Sequence, residues 1–535
     1  MDRVRHKRNY DLHSWTGVCL GMFLYVVCFS GSIALFYHEV LSWEDPNKRI
    51  ELPAEPVPFN ATFTEWVDEL SETGDIEFLN YTFPTVHEPY YRGFAHQHLE
   101  SDEPGGEEQH VNHFVHWHPE TLEVLPIQED GMARWLFDFH RDLMWPTQLG
   151  GRTVGRALVG VAGVILMLSI ISGIIAHTKI REEFFTLRYL RSVRLKWQDT
   201  HKVLGLWGTP FYAMIALTGA VLGIVTILAP IAALLAFKGD QQALIEAVVG
   251  QPPEPVGVQA IMLSADEVAK MRHPETGAEP WYVVTHNWGD EGAVLDVYYK
   301  PESKLFIAEG VSISGVTGEP VYSATTATNT PGNRLVGAIA PLHYGTYGGI
   351  ALKALYFLLG ISLAVITAFG TMMWIERRLH GNEGNRSPGF YRGLSRLNVG
   401  VSTGIVLATC GLLVHHTLYS GAEASRLMWT GWTYFGLWFA AIGYAFFRKD
   451  EYRATMEVLL ASGAALILAS ILNMAMMGHT IWSGLWGDGH APTAWVDVSL
   501  IGLGIATIAI AGALPKKRAE KARRVRSEAE PIPAE

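Results

Sequence analysis

Two apolar stretches 188 residues apart carry matching residues at matching spacing. His13, Gly17, Ser30 and Gly31 in the first recur as His201, Gly205, Thr218 and Gly219 in the second. Each stretch reads as a membrane-spanning helix with a histidine at one end. A histidine held near hydrocarbon costs free energy unless it is paired or ligates something, so two in matched positions mark a candidate site.

The chain has 535 residues, 49% of them hydrophobic, which is too apolar for an ordinary soluble enzyme and too charged to be all membrane. Apolar runs of about 20 residues, enough to cross roughly 30 Å of hydrocarbon, fall at 15–38, 153–176, 205–229, 350–374, 396–416, 430–447, 455–477 and 494–514. The expected fold is a mainly α-helical membrane protein with eight spans and two extramembrane inserts.

Basic residues orient it. Of 41 Lys and Arg, 26 fall in the alternate segments 1–12, 177–202, 375–396, 448–453 and 515–526, which places both termini in the cytoplasm. The stretch 39–150 holds 23 Asp and Glu against 5 Lys and Arg, so nucleic acid and anionic lipid are disfavoured as partners there. The first span lacks an A-x-A site and is expected to remain as an anchor in the lipid bilayer. Cys19, Cys28 and Cys410 all lie inside predicted spans, so no disulfide framework, CxxC site or covalent haem motif is available. Short basic loops fit a bacterial inner membrane.

The segment order is a span at 1–38, a periplasmic insert at 39–150, two spans and a basic cytoplasmic loop at 151–229, a second insert at 230–345 and a span at 346–376. A four-helix extension at 394–514 and a cytoplasmic tail at 515–535 follow. The first insert reads as a helix at 62–72, a strand through His113–His118, a turn at Pro119-Glu120-Thr121 and a return strand at Leu122–Leu125. The second repeats the plan, with a helix at 263–272, strands at 280–286, 293–299 and 304–311, and a turn at Lys300–Ser303. Each insert is expected to be a small α+β domain.

The runs Leu12-His13-Ser14-Trp15-Thr16-Gly17, Phe139-His140-Arg141, His201-Lys202-Val203-Leu204-Gly205 and Leu342-His343 stand before successive spans. In that order, residues 1–376 resemble the PepSY-associated transmembrane family, and the inserts resemble PepSY domains. The family includes ferric-siderophore reductases of the inner membrane that carry two non-covalent b-type haems. The resemblance implies electron transfer from a cytoplasmic or quinone donor to a ferric siderophore or another periplasmic acceptor. It does not cover the extension, and His177 departs from the aromatic and basic run that usually ends the family's second span.

With the termini inside, His13 and His201 form a pair at the cytoplasmic face, and His140 and His343 a pair at the outer face. Imidazole is a common haem-iron ligand, and Gly17 and Gly205, one turn from their histidines, would leave room for a macrocycle. The plain alternative is that helix-end histidines snorkel to the headgroups. His177 competes for the cytoplasmic site although its counterpart is Trp374, while His38 reads as interfacial. The first insert also holds His87, His96, His98, His110, His113, His116 and His118. Alternation would put His116 and His118 on one strand face at chelating spacing, or simply on a solvated face. His415, His416, His479 and His490 map to the outer side of the extension as a further haem or metal site, or as interfacial residues beside Trp429, Trp432, Trp482, Trp486 and Trp495. No phosphate loop, nucleophile elbow or dinucleotide fingerprint is present in the sequence, so no flavin or NAD site is expected. The rival reading is a non-redox transporter or a PepSY-based peptide-binding or protease-regulating protein. The scarcity of Asp and Glu within the first four spans weighs against a proton-coupled transporter.

Overall fold

The structure is a computed structural model that describes residues 3–53, 57–86, 88–99, 109–127, 131–186, 193–241, 243–244, 254–274, 276–300, 305, 310–322, 331–380, 386–487 and 491–514. His87, His490, the 301–303 part of the expected turn, most of the 304–311 strand and the tail lie outside the described residues. The helices are α1 (Arg3–Ala34), α2 (Tyr37–Glu44), α3 (Asn60–Ser71), α4 (Met132–Asp142), α5 (Gly151–Ala176), α6 (Ile180–Glu183), α7 (Val193–Ala236), α8 (Ala265–Lys270), α9 (Pro331–Tyr344), α10 (Gly349–His380), α11 (Pro388–Leu418), α12 (Glu423–Arg448), α13 (Glu451–Met477), α14 (Ile481–Trp486) and α15 (Ala491–Ala513). The strands are β1 (Asp75–Thr82), β2 (Tyr91–Leu99), β3 (Gln109–Trp117), β4 (Pro280–His286), β5 (Val294–Tyr299), β6 (Gly310–Ser314) and β7 (Pro320–Tyr322). The chain divides into a helical unit (Met1–Glu44, Asp130–Gly223, Ala354–Glu535) and a sheet unit (Asp45–Glu129, Ile224–Lys353).

Among the described residues, seven helices are long and apolar enough to span a membrane, each overlapping one of the stretches read as spans. The eighth expected span, 430–447, is indeed helical within α12. Its Gly431, Trp432, Tyr434, Gly436, Trp438, Gly443 and Tyr444 dilute the apolar run, however, and leave it outside that set. Local chemistry sets the helix ends. Ser387 caps α11 by accepting the Phe390 N–H with Pro388 at the first turn. Asp450 caps α13 at its start, and Gly478 ends that helix in the left-handed region at φ 68°.

Small residues let the helices approach closely. A Cβ on Gly463 would lie 2.7 Å from the Gly504 carbonyl, and one on Gly223 would lie 2.5 Å from Gly160, which is how membrane helices gain packing contact without a hydrophobic drive between them. The extension is part of this core. Tyr434 of α12 sits 4.7 Å from Trp135 and 5.1 Å from Phe139 of α4, ring centre to ring centre, in a cluster with Tyr25, Phe29 and Leu412.

In the sheet unit the two inserts, expected as separate domains, share one antiparallel sheet of order β3-β2-β1-β4-β5-β6-β7. The joint is β1 against β4, with Leu79 opposite Thr285 and Thr82 opposite Tyr282. Each insert alone would leave that edge unpaired, and pairing the two edges removes both. The two helices also cap each other. Asp266 of α8 accepts the Phe59 N–H at 2.6 Å, while Asn60 of α3 accepts the Ala265 N–H at 2.8 Å. Phe59, Phe63, Val67, Ala265 and Val268 then close over Leu79, Tyr81, Val283, Leu295 and Val297 as one core. The expected return strand at Leu122–Leu125 is reduced to an isolated bridge between Trp117 and Val124.

Asp296 of β5 ties this sheet to pH. It accepts hydrogen bonds from His286 at 2.8 Å and Ser312 at 2.5 Å. Burial pushes its carboxyl upward, but the His286 and Ser312 hydrogen bonds and the His286 charge together outweigh it and hold it below the usual range. A depressed carboxyl stabilises the fold above its unfolded value and loses that contribution as pH falls through its folded value. Asp296→Asn should therefore cost roughly 1–3 kcal/mol at neutral pH. Thermal unfolding followed by circular dichroism should show the gap from wild type closing below about pH 4; a gap that is constant with pH would rule this out.

Candidate functional site

His13 on α1 and His201 on α7 face each other, with ring centroids 6.1 Å apart and planes at 71°. Their surroundings repeat as their sequence does. His13 Nδ1 donates to the Ser169 carbonyl of α5 at 2.9 Å, and His201 Nδ1 donates to the Ile366 carbonyl of α10 at 3.0 Å. One turn further along each acceptor helix is a glycine. A Cβ on Gly173 would lie 3.0 Å from His13 Cε1, and one on Gly370 would lie 3.1 Å from His201 Cε1. Ser169 and Ile366 are 197 residues apart, as are Gly173 and Gly370, so the duplication extends to the helices that seat the rings.

A carbonyl can only accept, so each Nδ1 carries the hydrogen and each Nε2 keeps its lone pair. Imidazoles that bind metals are oriented in this way. A Cβ added to Gly17 or Gly205 would meet nothing within 4 Å, which leaves space one turn from each histidine. The pair fits a ligand set for one haem iron, and the glycines are the small residues such a group needs beside it.

His140 on α4 is seated similarly, with Nδ1 3.2 Å from Ser30 Oγ and Cε1 at 2.7 Å from where a Gly31 Cβ would stand. Burial pushes its imidazole down to about 4, partly offset by a hydrogen bond to the Val27 backbone, so the ring is neutral at physiological pH. His343 stands near the end of α9 in the sheet unit, edge-on to Tyr344. The expected outer pair is thus divided between the two units, and neither unit alone assembles it.

His177 caps α5. Its Nδ1 accepts the Lys179 N–H at 3.3 Å, and its Nε2 lies 3.6 Å from Glu183, which also binds Lys202 at 2.8 Å. That network belongs to the basic loop, whereas His13 and His201 sit on carbonyls of the spans. His38 packs edge-on against Tyr37.

Among the described residues, His415, His416 and His479 of the extension do not converge on one site. His415 Nδ1 is 3.3 Å from Thr433 Oγ1, His416 Nε2 donates to the Glu44 carbonyl at 3.2 Å, and His479 Nε2 bonds Asp497 Oδ2 at 3.1 Å. Asp497 also accepts the Trp43 indole N–H and the Ser470 hydroxyl, both at 2.9 Å, inside a completely buried cluster. The chelating alternative for His116 and His118 is also not built. His116 is buried against Tyr90, while His118 lies past the end of β3 and accepts the N–H groups of Glu120 and Thr121. Sequence reasoning missed the seats at Ser169, Gly173, Ile366 and Gly370; aligning the second span with the fourth would have exposed the glycine pair.

A relative from Pseudomonas aeruginosa, itself uncharacterized, is 24% identical over 335 residues, which is 60% of this chain and 83% of the relative. The family model of the PepSY-associated TM region matches residues 10–377, from just before His13 to just beyond Trp374. The histidine pair, its seats at Ser169, Gly173, Ile366 and Gly370 and all seven strands of the sheet fall within that match, and the chain belongs to the PepSY-associated TM family.

Proposed function

We propose that this multi-pass membrane protein is an electron-transfer protein in which His13 and His201 bind one b-type haem and the buried His140 serves a second. The observation that carries the reading is the matched seating of His13 and His201, each fixed through Nδ1 by a span carbonyl and pressed against a glycine. When bound, the haem supplies a one-electron couple. The chain's own residues hold the two imidazoles as neutral ligands and set the polarity around them, which tunes potential.

The basic loops support placement in a bacterial inner membrane with both termini cytoplasmic. On that orientation electrons pass from a cytoplasmic or quinone donor to ferric iron outside, one electron converting each Fe³⁺ to Fe²⁺. Hard-oxygen siderophores prefer the trivalent ion, so reduction loosens their hold. The purified full-length protein should show a Soret band, and α and β bands on reduction, that a ferric siderophore then bleaches back to the oxidised spectrum. A folded protein that stays colourless after haem reconstitution would overturn the reading. Reporters fused after residue 190 should read cytoplasmic and those near 100 or 290 periplasmic; an external reading from the 177–202 loop would reverse the orientation.

A further inference from the structure

The open face of the sheet carries a second ligand cluster, unrelated to the histidine pair of the spans. Directly opposed residues of an antiparallel ladder share a face. His96 opposes Asn112 and Phe78, and His98 opposes His110, so these side chains share one face. The register of β1 against β2 slips between Ile76 and Phe78, where two steps on β1 oppose a single step on β2. Glu77 is the extra residue. A bulge re-aims the side chain it inserts, and here it delivers a carboxylate to the imidazoles.

Glu77 Oε2 lies 3.4 Å from His96 Nε2 and 3.7 Å from His110 Nδ1, and the three donor atoms all fall within 4.8 Å of one another. Donors around a tetrahedral ion at about 2 Å stand roughly 3.3 Å apart, so closure on an ion draws the three donors together and turns the stacked His110 ring until its in-plane lone pair meets the ion. The imidazoles are already ordered. His96 Nδ1 bonds Asn112 Oδ1 at 2.7 Å, which leaves its Nε2 as the ligating nitrogen. The His110 ring stacks on both His96 and His98, at 5.3 Å and 5.2 Å.

The geometry assigns Glu77, His96 and His110 to a binding site for a divalent first-row transition ion of the zinc class. Two imidazoles and one carboxylate match that class, whereas Ca²⁺ and Mg²⁺ prefer all-oxygen shells. Three protein ligands leave the fourth position for water or an incoming ligand. All three residues belong to the sheet unit, so the site does not depend on the haem reading.

The test is Co²⁺ titration of the full-length protein in detergent, read by its visible d–d bands, with Zn²⁺ as competitor. Wild type should bind one more equivalent than each of Glu77→Gln, His96→Ala and His110→Ala, and Zn²⁺ should displace it. Asn112→Ala should keep the stoichiometry but weaken binding about tenfold, as expected for a residue that positions a ligand. His118→Ala, off the cluster, should bind as wild type. Glu77→Gln is isosteric and exposed, so it separates loss of a ligand from loss of the fold. Unchanged stoichiometry and affinity in any of the three ligand variants, or equal small losses in every histidine variant including His118→Ala, would overturn the site.

Discussion

His13→Ala and His201→Ala are each expected to abolish the haem bound between them and, with it, reduction of an external ferric acceptor, while His177→Ala retains both. The expectation follows from the seats. Each of the first two imidazoles is fixed by a span carbonyl and their ring centres are 6.1 Å apart, so removing either leaves one ligand where the site needs two. His177 is bound to Lys179 and Glu183 on the loop side, and its loss should shift a potential at most. Truncating a buried ring also opens a cavity and can destabilise a bundle, so a second variant is needed. Gly370→Val keeps His201 but drives side-chain atoms into the space its ring occupies. It should lower haem content severely while leaving the unfolding temperature of haem-free protein no lower than that of His201→Ala. Haem retained in His13→Ala but lost in His177→Ala would transfer the ligand role to His177.

The spans were legible because twenty apolar residues in a row have few alternatives, and the facing histidines because duplication repeated their spacing. What supports them was less legible. The carbonyls of Ser169 and Ile366 carry no residue-type mark, and Gly173 and Gly370 repeat at 197 rather than 188 residues because the intervening segments differ in length. Strands β4 and β5 could be read nearly to the residue from alternation, yet their pairing with the first insert could not. Edge strands of two separate segments look alike whether they stay apart or join, and only the three-dimensional approach of β1 to β4 decides it. The bulge at Glu77 is similar: a one-residue slip moves a side chain to the other face and leaves no trace in composition.

The buried cluster around Asp497 was the least legible part, since Trp43, Ser470, Asn473, His479 and Asp497 are individually ordinary and meet only in the fold. It should also be the most stability-critical polar site of the extension. Asp497 accepts from the Trp43 indole, the Ser470 hydroxyl and His479, and Asn473 Nδ2 donates to the Trp43 carbonyl at 3.2 Å. Asp497→Ala removes the shared acceptor of three buried donors. At the roughly 0.6 kcal/mol typical of hydrogen bonds between membrane helices the loss is about 2 kcal/mol, and at 1–3 kcal/mol per unsatisfied buried group it is several times that. Complete burial favours the upper range, so the melting temperature in detergent should fall by on the order of 10 °C. Asp497→Asn keeps an acceptor for Trp43 and Ser470 and should fall less. The same Asp497→Ala change made in a His479→Ala background should cost less than it does alone, because one of the donors to Asp497 is already gone. Equal costs in the two backgrounds would show that His479 and Asp497 are not coupled, and a melting temperature for Asp497→Ala within a degree of wild type would show that the cluster does not hold the extension to α2.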